Sequence, residues 1–267
     1  MLRFPLLAAA LAGVAVPAAR AQQIDLSRAR LVDLTHPLNA QTLYWPTSPT
    51  TFELDSLSYG PTPGGYFYAA FAFAAPEHGG THLDAPIHFS ERGQTADQVP
   101  LSRLVAPAAV IDVSAKAAAN ADYRLTVEDV AEFERRHGAI RPGTMVLLRT
   151  GWSERWPNRK AYLGDDTPGD ASKLHFPGFG VDAARLLVEE RRVAAIGIDA
   201  ASIDYGPSTD FMVHRVAAAA NVPALENLTA LDQLPPTGAV VIALPMKIEG
   251  GSGGPTRVVA LVPARGR

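Results

Sequence analysis

The segment from Glu77 to Phe89, EHGGTHLDAPIHF, carries the densest group of side chains that could do chemistry. It holds three of the chain's seven histidines together with an aspartate, and these four titratable residues are His78, His82, Asp84 and His88. Two adjacent glycines and a proline within the segment oppose a helix. An extended chain, with its side-chain period of two, would project all four residues to one side. The spacing therefore predicts a strand with a cluster of imidazole and carboxylate groups on one face.

A polar surface strand or a set of hydrogen-bonded core histidines is the alternative for this segment. Four titratable groups in register beside glycines, which permit close backbone approach, favour a metal site instead. We expect His78, His82 and Asp84 to hold a divalent ion. Two imidazoles and one carboxylate leave coordination positions open for water and substrate. His88 then lies beside the ion as an acid/base.

Composition limits the ligands and the partners of this site. The chain has no cysteine, so the ligands must be His, Asp and Glu, which suits zinc, manganese or iron. The sequence does not choose between zinc and manganese, or between one and two ions per chain. A mildly acidic chain without basic runs argues against nucleic acid as a partner.

The first 21 residues read as a signal peptide. Arg3 precedes an apolar run from Leu6 to Val16 that is too short to span a bilayer, and Ala19-Arg20-Ala21 has the small-x-small form of a cleavage site. We therefore expect an exported protein, periplasmic or secreted after cleavage near Ala21. The mature chain, residues 22–267, would form one domain. No later stretch is long and apolar enough to predict a membrane span.

The elements that must position the site alternate along the mature chain. Short apolar runs bounded by turn residues predict buried strands, and they lie at 109–113, 145–148, 193–198, 240–244 and 258–262. Tyr66 to Phe73 also predicts a strand, with three phenylalanines on one face. Helices are expected after Thr126, in a capping box with Asp129, after Asp182 and after Asp210. Strands outnumber helices, so the pattern predicts an α/β domain around a mixed sheet or open barrel.

Further candidates lie outside the histidine segment. His214 and Glu226 form a second cluster, which spacing alone supports only weakly. Aromatic residues could orient a planar substrate, and the candidates are Tyr44, Trp45, Phe89 and Trp152. Core packing is the competing interpretation for each, and the stronger one for Trp152. The glycine-rich run from Gly250 to Gly254 lacks a phosphate-loop pattern, and we interpret it as a flexible turn near the site.

The sequence resembles the cyclase-like metal-dependent hydrolases, a family that includes bacterial kynurenine formamidase and isatin hydrolase. The family pattern His-x-Gly-Thr-His-x-Asp-x-Pro-x-His is complete from His78 to His88. Further matches extend over most of the mature chain, at 33–38, 148–152, 176–178, 197–204, 214 and 225–228. The resemblance implies a swivelling β/β/α-type fold in a single domain, assembled as a homodimer or homotetramer.

The resemblance also implies residue roles and a reaction. It assigns the metal to His78, His82 and Asp84, the acid/base to His88, and a second metal or the reacting water to His214 and Glu226. It also implies that Trp45 contacts substrate, and we expect the same of Phe89 as one of the aromatic candidates above. The implied activity is hydrolysis of a small cyclic amide or an aryl formamide. Two alternatives stay open, namely a cyclase or dehydratase acting on another carbonyl compound, and a periplasmic metal-binding protein without turnover.

Overall fold

The computed structural model of the chain describes residues 25–264. The expected signal peptide at residues 1–21 therefore lies outside the described residues. Across the described range, no helix combines the length and the apolar character needed to cross a membrane.

Strands dominate the described part of the chain. The strands are β1 (Arg30–Asp33), β2 (Glu53–Pro61), β3 (Phe67–Ala74), β4 (His82–Asp84), β5 (Val105–Asp112), β6 (Arg124–Leu125), β7 (Met145–Arg149), β8 (Gly178–Phe179), β9 (Ala195–Ile198), β10 (Ala224–Glu226), β11 (Thr237–Pro245) and β12 (Gly253–Val262). The α-helices are α1 (Leu101–Leu104), α2 (Ser114–Ala119), α3 (Val127–His137), α4 (Arg159–Leu163), α5 (Val181–Arg185) and α6 (Met212–Ala219). Short 3₁₀ helices span Pro86–His88, Trp152–Arg155 and Leu231–Gln233.

Seven of the strands close into a barrel. Their order is β12-β11-β5-β7-β9-β10-β4, and β4 also pairs with β12, which completes the ring. The pairs within β5-β7-β9-β10 are parallel, whereas the remaining pairs are antiparallel. β1 lies outside the ring and pairs with residues 259–262 of β12. The predicted α/β fold around a mixed sheet is confirmed, and the sheet is closed.

Continuous apolar runs form the central strands because both faces of the barrel wall are buried. In β7, Met145 and Leu147 belong to an apolar cluster that takes residues from all seven barrel strands and so fills the barrel. Val146 and Leu148 instead pack with residues of α3, α5 and α6 on the outside. Strands buried on both faces read as apolar runs rather than as an alternation, which is why the predicted strands β5, β7 and β9 are found. β11 and β12 are found as well, although their outer faces are partly exposed.

Of the three predicted helix caps, only Thr126 is found in the structure. Thr126 caps α3 in the predicted capping box with Asp129, and Gly138 ends the helix. Asp182 is not the cap of the second helix: Gly180 occupies that position and Asp182 lies in the first turn. This helix spans Val181–Arg185 and continues as a π-helical turn, Leu186–Glu190. In the third case Asp210 is not the cap. Phe211 takes that place with a φ of 50°, and α6 starts at Met212.

A two-stranded arm extends from the barrel. It consists of β2 and β3, which pair only with each other. The predicted strand around Tyr66 to Phe73 is therefore confirmed, but its side chains are not in the core. Phe67, Phe71 and Phe73 are 61%, 48% and 52% exposed.

Candidate metal centre and active site

The four titratable residues of the histidine segment meet at one site, but not on one strand. Only His82 and Asp84 lie in a strand, β4, which is three residues long. His78 precedes it in a loop, and His88 ends a 3₁₀ helix that begins at Pro86. The expectation of one extended strand was wrong, because Pro86 starts the 3₁₀ turn and Gly80, at a φ of 59°, turns the chain before β4.

Strand register explains why β4 and β10 share the site. Leu83 and Leu225 pair in register and both belong to the cluster inside the barrel. Their neighbours therefore point outward, and His82 pairs directly with Glu226. Side chains directly opposite in an antiparallel pair lie on the same face. His82 Nε2 accordingly lies 3.5 Å from Glu226 Oε2.

Two groups of potential metal ligands meet at Asp84. One group is His78, His82 and Asp84, and the other is Asp84, His214 and Glu226, with the ligand atoms of each group within 4.8 Å of one another. All of these residues except His78 are buried. His214 reaches the site from α6, and its Nε2 lies 3.2 Å from both Asp84 Oδ2 and Glu226 Oε1. Because Asp84 belongs to both groups, the cluster offers enough ligands for one ion or for two.

The donor geometry at His82 fits a metal ion. Its Nδ1 donates to the Gly80 carbonyl oxygen at 2.9 Å, so Nε2 is the nitrogen that faces the site and would bind an ion. That nitrogen is buried and makes no hydrogen bond, although Asp84 Oδ1 lies 3.1 Å away. Buried polar atoms seldom lack a partner, and a divalent cation among these imidazoles and carboxylates would supply one.

The electrostatics of the site favour positive charge. Burial lowers the pKa of His82, but the charges of Asp84 and Glu226 outweigh it and raise the value to about 9. The pKa of Asp84 falls well below its usual range, because the neighbouring histidines outweigh the effect of burial. Carboxylates that stabilise a proton on these rings would also stabilise a bound cation.

A carboxylate behind the site holds His214. Asp204 Oδ2 accepts from His214 Nδ1 at 2.7 Å and from the His214 backbone N–H at 3.1 Å. Its other oxygen accepts from the Val213 N–H at 3.0 Å. Asp204 thereby caps α6 and orients the imidazole, so that Nε2 faces Asp84 and Glu226. Such carboxylate–histidine pairs are typical of metal sites.

His88 lies next to the ligand groups without belonging to either. Its ring stacks on His78 with the centroids 3.8 Å apart and an interplanar angle of 16°. Burial lowers the pKa of His88 to about 4, against the opposing charge of Asp84. The structure thus brings together every titratable residue that the sequence predicted for the site.

A cavity of about 260 Å³ opens over these groups. Aromatic residues form much of its wall, and they are Tyr44, Trp45, Phe89, Tyr162 and Phe211. Phe211 lies between two of them, 6.1 Å from the Trp45 ring and 5.4 Å from the Phe89 ring. Trp45 and Phe89 both line this cavity, and their contact with a substrate stays a prediction. Trp152 is a core residue instead, 1% exposed and bonded through Nε1 to the Tyr162 carbonyl.

Three contributors to the site had no assigned role in the sequence. Asp204 occurs in a matched segment, and its place six residues after the end of a buried strand was the only signal for it. Phe211 was read as part of a helix, but its left-handed backbone turns it to the cavity. Ser252 sits in the glycine-rich run and contacts His78 at 2.8 Å, a long-range contact that local spacing does not reveal.

The fold and the site define a barrel-based α/β protein whose histidine–carboxylate cluster suits a divalent metal. A model of the family described as "Putative cyclase" matches residues 32–205. The chain belongs to this family.

Named relatives and solved structures agree with that placement. An isatin hydrolase from Roseibium aggregatum is 37% identical over 207 residues, which cover 74% of this chain and 77% of that protein. A kynurenine formamidase from Sphingopyxis alaskensis is 34% identical over 235 residues, covering 86% and 97%. The structure of an isatin hydrolase bound to the product analogue thioisatinate superposes with a TM-score of 0.80 at 32% identity, covering 89% of this chain and 94% of that one.

Proposed function

We propose that this protein is a metal-dependent hydrolase of small aromatic amides, with a cyclic amide of the isatin type as its first candidate substrate. The observation that carries the proposal is the pair of ligand groups joined at Asp84 below an aromatic-walled cavity. The similarity to isatin hydrolase, in sequence and in structure, supports the cyclic amide. The similarity to kynurenine formamidase supports an aryl formamide as the second candidate.

The residues around Asp84 would hold a divalent ion, zinc or manganese, as one ion or two. His78, His82 and Asp84 form the first group, and His214 and Glu226 complete the second with Asp84. A bound ion would supply the chemistry of water activation at neutral pH and polarisation of the amide carbonyl.

The chain's own residues would bind the substrate and move the proton. The aromatic walls, Trp45 and Phe89 among them, orient a planar ring and exclude water from it. In the hydrolysis, the oxygen of water bonds to the carbonyl carbon, the carbon–nitrogen bond breaks, and the nitrogen takes up a proton. His88 would accept the proton from the water and deliver it to the departing nitrogen.

The test is hydrolysis of isatin and of N-formylkynurenine by the purified protein. We expect chelation to abolish cleavage and the addition of zinc or manganese to restore it, which also identifies the preferred ion. If stoichiometric metal binds but neither compound is cleaved, the assignment to these substrates is wrong. That result would favour cyclase or dehydratase activity on another carbonyl compound, or metal binding without turnover.

We also propose that the protein is exported and that it forms a homo-oligomer. Export rests on the signal-peptide pattern of residues 1–21, and N-terminal sequencing of the protein from a periplasmic or secreted fraction should begin at or near Gln22.

Assembly is supported by the exposed aromatic face of the β2–β3 arm, because contiguous apolar surface of this kind marks interaction sites.

A further inference from the structure

The glycine-rich run before β12 is built into the wall behind His78. The Ser252 carbonyl accepts from the Ala85 N–H at 2.8 Å, one residue after the ligand Asp84. The Gly251 carbonyl accepts from the Ala96 N–H at the same distance. The last residues of the run, Gly253 and Gly254, already pair with β4. The run therefore has fixed partners on both sides rather than the character of a loose turn.

Ser252 joins the side chains of Glu77 and His78. Its Oγ lies 2.5 Å from Glu77 Oε2 and 2.8 Å from His78 Nε2. The Ser252 backbone N–H also donates to Glu77 Oε2, at 2.9 Å. Glu77 Oε2 therefore accepts hydrogen bonds from both the hydroxyl and the backbone N–H of Ser252.

This arrangement determines which nitrogen of His78 carries a proton. A carboxylate only accepts hydrogen bonds, and a hydroxyl has a single proton to donate. The Ser252 hydroxyl therefore donates to Glu77, and its oxygen accepts from the N–H at His78 Nε2. His78 Nδ1 lies 2.6 Å from Asp84 Oδ1 and donates to this carboxylate in the metal-free site. A cation at the ligand group would take the place of that proton and bind the Nδ1 lone pair, while the Nε2–H stays on Ser252.

The neighbouring glycines leave the space that these contacts need. A Cβ at Gly251 would lie 2.7 Å from Glu77 Oε1. A Cβ at Gly253 would lie 2.7 Å from His78 Cε1 and 2.4 Å from the Leu83 carbonyl oxygen. All three distances are shorter than van der Waals contact, so any larger residue would displace Glu77, His78 or the backbone at Leu83.

We propose that Ser252 and Glu77 are positioning residues that hold His78 as the Nε2–H tautomer and aim its Nδ1 at the metal. This inference rests on the proposed metal centre. Hydrogen-bond partners behind a ligating histidine fix its tautomer and orientation, and their loss costs about 10- to 100-fold in metal affinity. The tight fit at Gly251 and Gly253 gives these two glycines a share in that role.

The experiment measures zinc affinity by competition with a chromophoric chelator at pH 7, for the wild type, Ser252→Ala and Glu77→Gln. We expect both variants to bind zinc about 10- to 100-fold more weakly. Ser102→Ala and Glu154→Gln, at exposed positions away from the site, are the matched controls and should bind as the wild type does. Unchanged affinity in both site variants would overturn the proposal.

A second readout separates positioning from a general loss of structure. In long-range ¹H–¹⁵N spectra of the zinc-loaded, histidine-labelled wild type, His78 should coordinate through Nδ1 and carry a slowly exchanging proton on Nε2. In Ser252→Ala that proton should exchange faster while the melting temperature stays near that of the wild type. Coordination through Nε2 in the wild type contradicts the proposal.

The outcomes also separate this inference from the proposed function. If the wild type binds neither zinc nor manganese, the metal-dependent function fails and this inference fails with it. If the wild type binds and turns over while both variants match it, only the positioning role is lost. Should Ser252→Ala fail to fold, Glu77→Gln decides, because the Glu77 side chain is 28% exposed and tolerates the change more easily.

Discussion

His88 touches the metal centre by stacking on His78, and no carboxylate holds either of its ring nitrogens among the described hydrogen bonds. A residue placed in this way suits proton transfer better than ligation. We expect His88→Ala to retain its metal and to lose about 10²- to 10⁴-fold in turnover, the usual range for a lost acid/base. Metal content by elemental analysis and kcat on the cleaved substrate check this. His137→Ala, at an exposed position on α3, is the control, and normal turnover in His88→Ala would refute the assignment.

Asp204 holds the ligand His214, so replacing Asp204 should affect metal binding, whereas replacing His88 should affect turnover. Replacing Asp204 with Asn removes the charge behind His214 and leaves the tautomer of that ring free to change. We expect Asp204→Asn to weaken binding at the Asp84–His214–Glu226 group by about 10- to 100-fold, measured by titration calorimetry. Asp210→Asn, near the start of the same helix, is the matched control. Equal stoichiometry and affinity in Asp204→Asn would mean that Asp204 only caps the helix.

The sequence predicts the reactive residues of this site better than the residues that hold them. His78, His82, Asp84 and His88 stand out because four titratable groups fall within one short segment. Asp204 and Ser252 do not, because no local pattern marks them: Asp204 binds His214 across a loop of irregular structure, and Ser252 contacts His78 from the other end of the chain. A carboxylate or hydroxyl near a loop is usually solvated, and only the closed barrel brings these two behind the imidazoles.

At the scale of the element, the N-terminus of α3 depends on a buried carboxylate. Burial alone would raise the pKa of Asp129, but hydrogen bonds from Lys116, the Tyr123 hydroxyl and the Thr126 N–H lower it below its usual value. The ionised form is therefore favoured by folding. Its contribution is present above the unfolded pKa of about 3.9 and is lost as the pH falls through the folded value.

We expect Asp129→Asn to lower the free energy of unfolding by about 1–3 kcal/mol at pH 7, the range for hydrogen bonds to a charged group. The difference from the wild type should narrow below about pH 4, where Asp129 becomes protonated. Denaturant unfolding at pH 7 and near pH 3.5 measures both values. Asp232→Asn, at an exposed position, is the control. A difference that does not change with pH would contradict the role of the charge.

Element prediction succeeds where one physical signal dominates and fails where two compete. Met145 to Leu148 is apolar throughout because the barrel wall is buried on both sides, so its assignment as a strand is confirmed. The histidine segment alternates as a strand does, but Pro86 and the turn at Gly80 limit the strand to His82–Asp84. α6 starts at Met212 because Asp204, which lies before the preceding loop, binds the N–H groups of Val213 and His214 in place of the expected cap.

At the scale of the whole molecule, the barrel positions the site, whereas the arm offers an exposed surface. The barrel pairs His82 with Glu226 and turns both outward, beneath α6 and its His214. The arm adds nothing to the described core, since β2 and β3 pair only with each other. Both ends of the arm lie close to the site, because Trp45 precedes β2 and His78 follows β3 by a few residues. An assembly made through the arm would therefore also stabilise the loops that carry these two residues.

The arm presents one aromatic face that a second copy of the chain could cover. Tyr59 is 72% exposed, and its ring lies 5.2 Å from Phe67 and 6.2 Å from Phe71, which are 61% and 48% exposed. Aromatic residues are enriched in the cores of protein interfaces. The face therefore predicts a homo-oligomer in which arms contact a partner subunit, as a dimer or a tetramer.

Replacing Phe67 and Phe71 together with threonine keeps the strand propensity of β3 and removes most of this apolar face. We expect the molar mass measured by light scattering to fall from that of the oligomer to that of a single chain, because the interface loses the aromatic groups that bury the most area. Leu101→Ser, a substitution of an exposed apolar residue outside the arm, should leave the mass unchanged. A wild type that is already monomeric, or a double variant of unchanged mass, would show that the arm does not hold copies together.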